Sequence, residues 1–217
     1  MNIFKFYNEN LDYLFLKTYE HLYIFIISWL LAVIIGILIG IFVSRPKRKK
    51  TGELIINIMS TTQAIPSIAV IALVFIFLGI GATPAIFALF LYSLVPIIFN
   101  TASGLLSVDK KLIEAAKGMG MTNFHILFRI EIPMSISSIF SGLRNSAVIN
   151  IATTTVASAV GAGGLGELIF IGLSAFDYTM ILAGALPVSL LAVIIDQILG
   201  LIEKFLTSKG IKMITEN

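Results

Sequence analysis

The sequence predicts an all-α integral membrane protein of about five transmembrane helices, at 22–43, 54–79, 84–106, 134–160 and 178–205. Three observations carry that prediction. Of the 217 residues 58% are hydrophobic and only 12% charged, and the mean hydropathy is +1.00, too apolar for an ordinary soluble domain. Two stretches, Leu54 to Val108 and Asn145 to Gly166, hold no charged side chain and are long enough to cross a hydrocarbon layer of roughly 30 Å. Lys and Arg gather beside the apolar runs, which is a topology signal rather than a sign of an acidic partner. Cysteine is absent, which excludes a disulfide framework, a thiolate metal site and a thiol nucleophile.

The first span, Leu22 to Val43, follows a segment of residues 1–21 holding Glu9, Asp12 and Glu20, with no small-residue cleavage site after the apolar run. A retained anchor is expected there, with a signal peptide as the lesser alternative. Trp29 lies too deep for an interfacial anchor and is expected to pack. Gly36 and Gly40 form a small-xxx-small pair suited to close helix approach within the bundle. RPKRKK (45–50) comes directly after. At that place it reads as a cytoplasmic positive-inside anchor touching membrane lipid rather than a nucleic-acid patch.

Residues 54–106 suit two spans parted at GIGATP (79–84), where two glycines and Pro84 make a turn and a helix start. Pro66 and Pro96 each remove a backbone donor mid-span and are expected to kink their helices. The loop 107–133 is polar and must lie in water. Asp109 is the expected N-cap of a first short helix ending near Met119, with Gly120 as its left-handed terminator; Thr122 caps a second helix, and Pro133 marks the next boundary. The fourth span, 134–160, is long for a perpendicular crossing, so its start projects into the interface, where Arg144 reaches water or phosphate by snorkelling. A glycine-rich loop (161–177) and the fifth span complete the chain, leaving 207–217 as a tail.

Charge sets the orientation. Five spans with the N-terminus outside and the C-terminus in the cytoplasm place twelve of the fifteen Lys and Arg residues on the cytoplasmic side.

Within the polar loop, Glu114, Ala115 and Ala116, then Gly120, Ile130 and Pro133, match the spacing Glu-Ala-Ala-x3-Gly-x9-Ile-x-Leu-Pro, with Ile132 in place of the usual Leu. This resembles the EAA loop of ABC importer permeases of the binding-protein-dependent type I family. SVDKKLIEAAKGMGMT, VGAGGLGELIF and IGLSAFDYTMILAGALPVSLLA extend the likeness to the permease subunits of osmoprotectant importers, which carry glycine betaine, carnitine and choline. The resemblance implies a type I permease fold over 22–206 with its EAA loop at 107–133. It also implies two ABC ATPase subunits docked on that loop, a second permease copy or a homologous permease, and an extracytoplasmic substrate-binding protein in a bacterial cell membrane. Glu114, Ala115, Ala116, Gly118, Gly120 and Pro133 are then the ATPase-coupling residues, moving as a rigid body with the motor. An amino-acid or other small-solute importer is the nearest competitor within that class.

Other features carry weaker signals. GAGGLG (161–166) matches G-x-G-x-x-G literally, but a membrane helix precedes it and no acidic residue stands about 20 positions on, so it is not a dinucleotide site. Gly161, Gly163, Gly164 and Gly166 are expected to form a flexible or tightly turned outer-gate loop. Ser146, Asn150, Thr153 and Thr154 recur at helical spacing. Path lining is the preferred reading of that stripe, with interhelical hydrogen bonding the alternative; Asn100 and Tyr92 are further path candidates. Asp196 has no evident basic partner in the sequence and is expected to make a structural hydrogen bond. His21 and His125 are expected at the surface or an interface. No Walker, HExxH, GxSxG or paired-carboxylate pattern is present, so neither catalysis nor a cofactor is expected. An ion-coupled carrier would show inverted halves and several buried charges. A non-transporting assembly subunit would leave the EAA spacing unexplained.

Overall fold

The structure, a computed structural model of the chain, describes residues 3–45, 49–62 and 65–207. Among the described residues every regular element is helical: α1 (Ile3–Glu9), α2 (Leu11–Val43), α3 (Lys49–Thr62), α4 (Ser67–Leu78), α5 (Ala82–Leu106), α6 (Lys110–Gly118), α7 (Asn123–Ile126), a π-helical stretch (Leu127–Glu131), α8 (Ile132–Met134), α9 (Ile136–Ala157) with a 3₁₀ turn (Ser158–Val160), α10 (Gly166–Ala175) and α11 (Tyr178–Leu206).

α5 packs between α2 and α9, and α9 in turn packs against α11. Small residues set that spacing. A Cβ on Gly36 would stand 2.8 Å from Ile97 Cγ2, one on Gly40 would stand 2.6 Å from Thr101 Cβ, and one on Gly142 would stand 2.8 Å from the Pro96 carbonyl. The expected small-xxx-small contact is therefore the α2–α5 seam. Beside it Ala32 and Val43 of α2, Leu94, Ile97 and Ile98 of α5, and Phe140 of α9 form a continuous apolar core. Outward, Ile34 and Leu38 of α2 and Leu190 and Val193 of α11 stay exposed, as side chains facing hydrocarbon should.

α2, α5 and α11 are long and apolar enough to cross a membrane. A fourth crossing is a bent pair, Asn123–Met134 and Ile136–Val160, meeting at 65°. The bend has a local cause. Pro133 cannot donate a backbone hydrogen bond, and the turn before it widens to π geometry, with the Ile132 N–H reaching Leu127 O.

Some expectations need correction. The span expected at 54–79 is two shorter helices, α3 of 14 residues and α4 of 12, roughly 21 and 18 Å long at 1.5 Å per residue. Pro66, with φ −54° and ψ 132°, caps α4 instead of kinking a continuous helix. By contrast α5 runs through Pro96 without interruption. α2 begins eleven residues before the expected Leu22, because its charged first turns find partners across the bundle. Residues 161–177 are not wholly loop, since α10 occupies ten of them. Of the basic run 45–50, residues 46–48 lie outside the described residues.

Candidate functional site

The polar loop folds as its sequence signals direct. Asp109 Oδ1 accepts from the Lys111 N–H at 2.9 Å and opens α6. At its end Gly120 takes φ +81°, its N–H donating to Lys117 O at 2.9 Å, while Met121 N–H reaches Ala116 O at 3.1 Å. This paired closure satisfies the orphan carbonyls and needs a left-handed residue. Thr122 Oγ1 then accepts from His125 N at 3.3 Å. Ala116 is fully buried, whereas Glu114, Ala115, Gly118 and Gly120 are exposed, and Met119 and Phe124 are 75% and 66% exposed. The loop thus presents large apolar side chains on an otherwise polar surface. Pro133 sits apart from that surface, in α8 beside the π stretch. The loop is also strutted: Arg45 Nη1, at the end of α2, contacts the nearly buried Glu131 Oε2 at 2.7 Å. That contact makes Arg45 a clamp rather than a free lipid anchor.

The stripe on α9 is a buried hydrogen-bonded core. Ser146, Asn150 and Thr154 are fully buried and Thr153 is 6% exposed. Asn150 Nδ2 donates to Ser93 Oγ of α5 at 2.7 Å and to Ser28 Oγ of α2 at 3.0 Å. Trp29 Nε1 donates to Ser146 Oγ at 2.9 Å, its ring stacked on Phe25. Thr153 and Thr154 donate back to the Ile149 and Asn150 carbonyls. In this conformation the stripe joins three helices, the arrangement named by the interhelical hydrogen-bonding alternative. Asn100 donates to Pro96 O at 2.8 Å, and both Asn100 and Tyr92 are only half-buried, so they keep a face free of this core.

Asp196 is not without a basic partner. Arg144 Nε and Nη2 contact its two carboxylate oxygens at 2.8 Å each, and Nη1 lies 3.5 Å from Glu203 Oε2. Arg144 therefore bridges α9 to α11 instead of snorkelling freely. The sequence shows two oppositely charged residues in otherwise apolar spans, where the low dielectric favours pairing, but not that they meet.

The end remote from the polar loop carries a second missed constellation. Lys17, only 8% exposed, lies 3.0 Å from Glu20 Oε2 and 2.7 Å from Glu167 Oε2. Glu20 Oε2 also accepts from Gly164 N–H at 2.9 Å, and Tyr13 donates to Glu167 Oε1 at 3.3 Å. This bracket pins the glycine turn to α2. Gly161, Gly163 and Gly164 all have φ near +85°, and Ser158 donates to the Gly163 carbonyl. The turn is tight, not slack. Gly166 opens α10 where a Cβ would collide with the Thr155 carbonyl. Of the surface and interface positions expected for the two histidines, His21 takes the second, fully buried next to Gly164, and His125 is exposed. Among the described residues no group of three or more His, Cys, Asp or Glu could hold a metal ion.

Residues 32–208 match the profile of the binding-protein-dependent transport system inner membrane component family. The chain is 44% identical over 97% of its length to the carnitine transport permease protein OpuCB of Listeria monocytogenes, covering 95% of that protein. It is 42% identical over 92% of its length to the glycine betaine/carnitine/choline transport system permease protein OpuCB of Bacillus subtilis, covering 91% of it. Similarity also extends to the osmoprotectant import permease protein OsmW of Salmonella typhimurium, at 40% identity over 94% of this chain and 96% of that one. The fold is similar to that of a subunit in inward-facing structures of the MetNI methionine ABC transporter, with TM-scores of 0.76 and 0.79 at 24% and 23% identity, covering 90% and 92% of this chain and 96% and 99% of that one.

Proposed function

Because the chain belongs to the binding-protein-dependent transport system inner membrane component family, a family of multi-pass permease subunits of ABC importers, we propose that it imports quaternary ammonium osmoprotectants: glycine betaine, carnitine or choline. The observation that carries this reading is the near full-length similarity, at 40–44% identity, to permeases of that cargo class. The likeness to the methionine transporter is one of fold and does not favour an amino-acid cargo.

In this reading the chain forms half of the path, and a second copy or a homologous permease forms the other half. ATP is hydrolysed on two separate ATPase subunits, and a binding protein delivers solute from outside. The docking face on α6 and α7, with Glu114, Ala115, Gly118 and Gly120 exposed, receives the ATPase. Three rigid features support transmission of its motion: the capped helix, the left-handed stop at Gly120, and the Arg45–Glu131 strut between the loop and α2. The charge asymmetry supports a cytoplasmic C-terminus and an external glycine turn.

The test is uptake of labelled choline, carnitine and glycine betaine by cells that lack other routes and express the complete importer. ATP-dependent uptake of at least one is expected, and Glu114→Trp should leave ATP hydrolysis running while uptake falls at least tenfold. Uptake of none of the three, with an amino acid accumulated instead, would move the cargo to the competing class.

A further inference from the structure

A hollow of about 350 Å³ opens at the end of the bundle remote from the polar loop, within the roughly 300–1,000 Å³ range of small-molecule clefts. Tyr19 and Tyr23 of α2, the carboxylates of Glu20 and Glu167, and Gly161 and Gly163 of the glycine turn line it. The two tyrosines stand one helical turn apart with ring centroids 6.4 Å apart and planes 27° from parallel. One lysine faces two carboxylates here, so the hollow carries a net negative charge. Both Oε2 atoms already contact Lys17, and Glu167 Oε1 accepts from Tyr13.

That combination selects a chemistry. A metal ion needs several convergent, uncommitted oxygens, which the bracket has largely used. A primary amine would need several convergent acceptors, and three of the four carboxylate oxygens are already engaged. A quaternary ammonium needs neither, because it donates no hydrogen bond and is held by aromatic faces, with the residual negative charge of two carboxylates against one lysine adding attraction. Beside the hollow the chain shows the pattern with a tethered cation: Lys17 Nζ lies 5.5 Å from the ring centroid of Tyr13, outside the lining, and contacts both carboxylates.

We propose that this hollow is a receiving subsite for a trimethylammonium head group at the outer mouth of the permease. It rests on the cargo class and orientation given under Proposed function, and it assigns to this chain's own residues a contact with the solute after its release from the binding protein. A site on a path must also let go, and two half-exposed rings suit weak, brief binding.

The test uses choline and the complete permease–ATPase complex in lipid nanodiscs, without binding protein, read by saturation-transfer NMR of the choline N-methyl protons. Transfer is expected in the wild type, with a fall of at least fivefold in Tyr19→Leu/Tyr23→Leu and retention within twofold in Tyr19→Phe/Tyr23→Phe. The neutral isostere 3,3-dimethylbutan-1-ol should give less than a fifth of the choline signal. Tyr19 is 62% exposed, so Tyr19→Leu alone, with a fall of at least twofold expected, decides the question if the double variant fails to assemble. An unchanged signal in the leucine variants, equal transfer to the neutral isostere, or no transfer in the wild type overturns the subsite. Choline uptake by whole cells is scored separately: uptake without N-methyl transfer sinks the subsite alone, and transfer without uptake sinks the cargo reading alone.

Discussion

The two ends of the bundle are held by different kinds of interaction. At the polar loop, Asp109, Gly120 and Thr122 each act on backbone groups two or three residues away; the Arg45–Glu131 pair ties the end of the loop to α2, and the surface of α6 is left open. At the far end the glycine turn is secured by Lys17 and Glu20, which precede it by more than 140 residues. The first design gives an element whose local geometry is set by its own caps and whose outer face is exposed. The second gives a closed seam whose geometry depends on the whole bundle. Glycine shows the contrast most plainly. A Cβ on Gly118 or Gly120 meets nothing within 4 Å, while one on Gly166 or Gly184 runs into backbone.

Substitutions at the two ends should therefore separate by size. The largest effect is expected from Gly166→Ala, because a Cβ there meets the Thr155 backbone rather than a yielding side chain. A loss of about 3 kcal/mol, read as a lowered thermal midpoint of the purified complex, is the expected outcome. A midpoint within a degree of wild type would show that the far end is slacker than its contacts imply. Next comes Lys17→Met, which strands Glu20 and Glu167. Fully buried pairs lose about 3–5 kcal/mol on such truncation, and partial exposure of both carboxylates brings this nearer to about 2 kcal/mol. Protease cleavage within 161–165 should rise in Lys17→Met and not in Lys17→Arg.

At the loop end the numbers shrink and the readout changes. Gly120→Ala forces a side chain into φ +81°, a strain of about 1 kcal/mol. Thermal stability should move little, but the angle between α6 and α7 should shift, so uptake per ATP hydrolysed falls more than fold stability does. The reverse ranking would mean the closure is structural only. The smallest stability effect is expected from Gly118→Ala. Alanine is the better helix former and the site is open, so the change should stay within about 0.5 kcal/mol in the stabilising direction. If ATPase co-purification drops all the same, the added methyl lies in the docking face; if it is unchanged, that face excludes residue 118.

Legibility in the sequence follows the same divide. The roles of Asp109, Gly120 and Thr122 can be read directly because capping is a local backbone matter, decided by a few neighbouring letters. The ends of α5 and α11 are legible to within two residues because apolar length and flanking punctuation suffice. The 54–79 stretch is not: composition permits a continuous helix there, but the Pro66 backbone does not continue one, and hydropathy is blind to that difference. The start of α2 is hidden because Lys17 and Glu20, taken alone, look like polar punctuation. Asn150 is recognisable as inward-facing, but not as a donor to two different helices.

Helical class, membrane residence and the form of the polar loop are written in the order of residues, since hydrophobic period, charge placement and caps act within one or two turns. The pairing of Arg144 with Asp196, the Lys17 bracket, and the burial of Ser146 and Asn150 against α2 and α5 arise only in the folded bundle. In an apolar interior an isolated charge or amide is driven to whichever partner the packing brings within about 3 Å. Which partner arrives depends on how the helices cross, a relation between segments that no single stretch of the chain encodes.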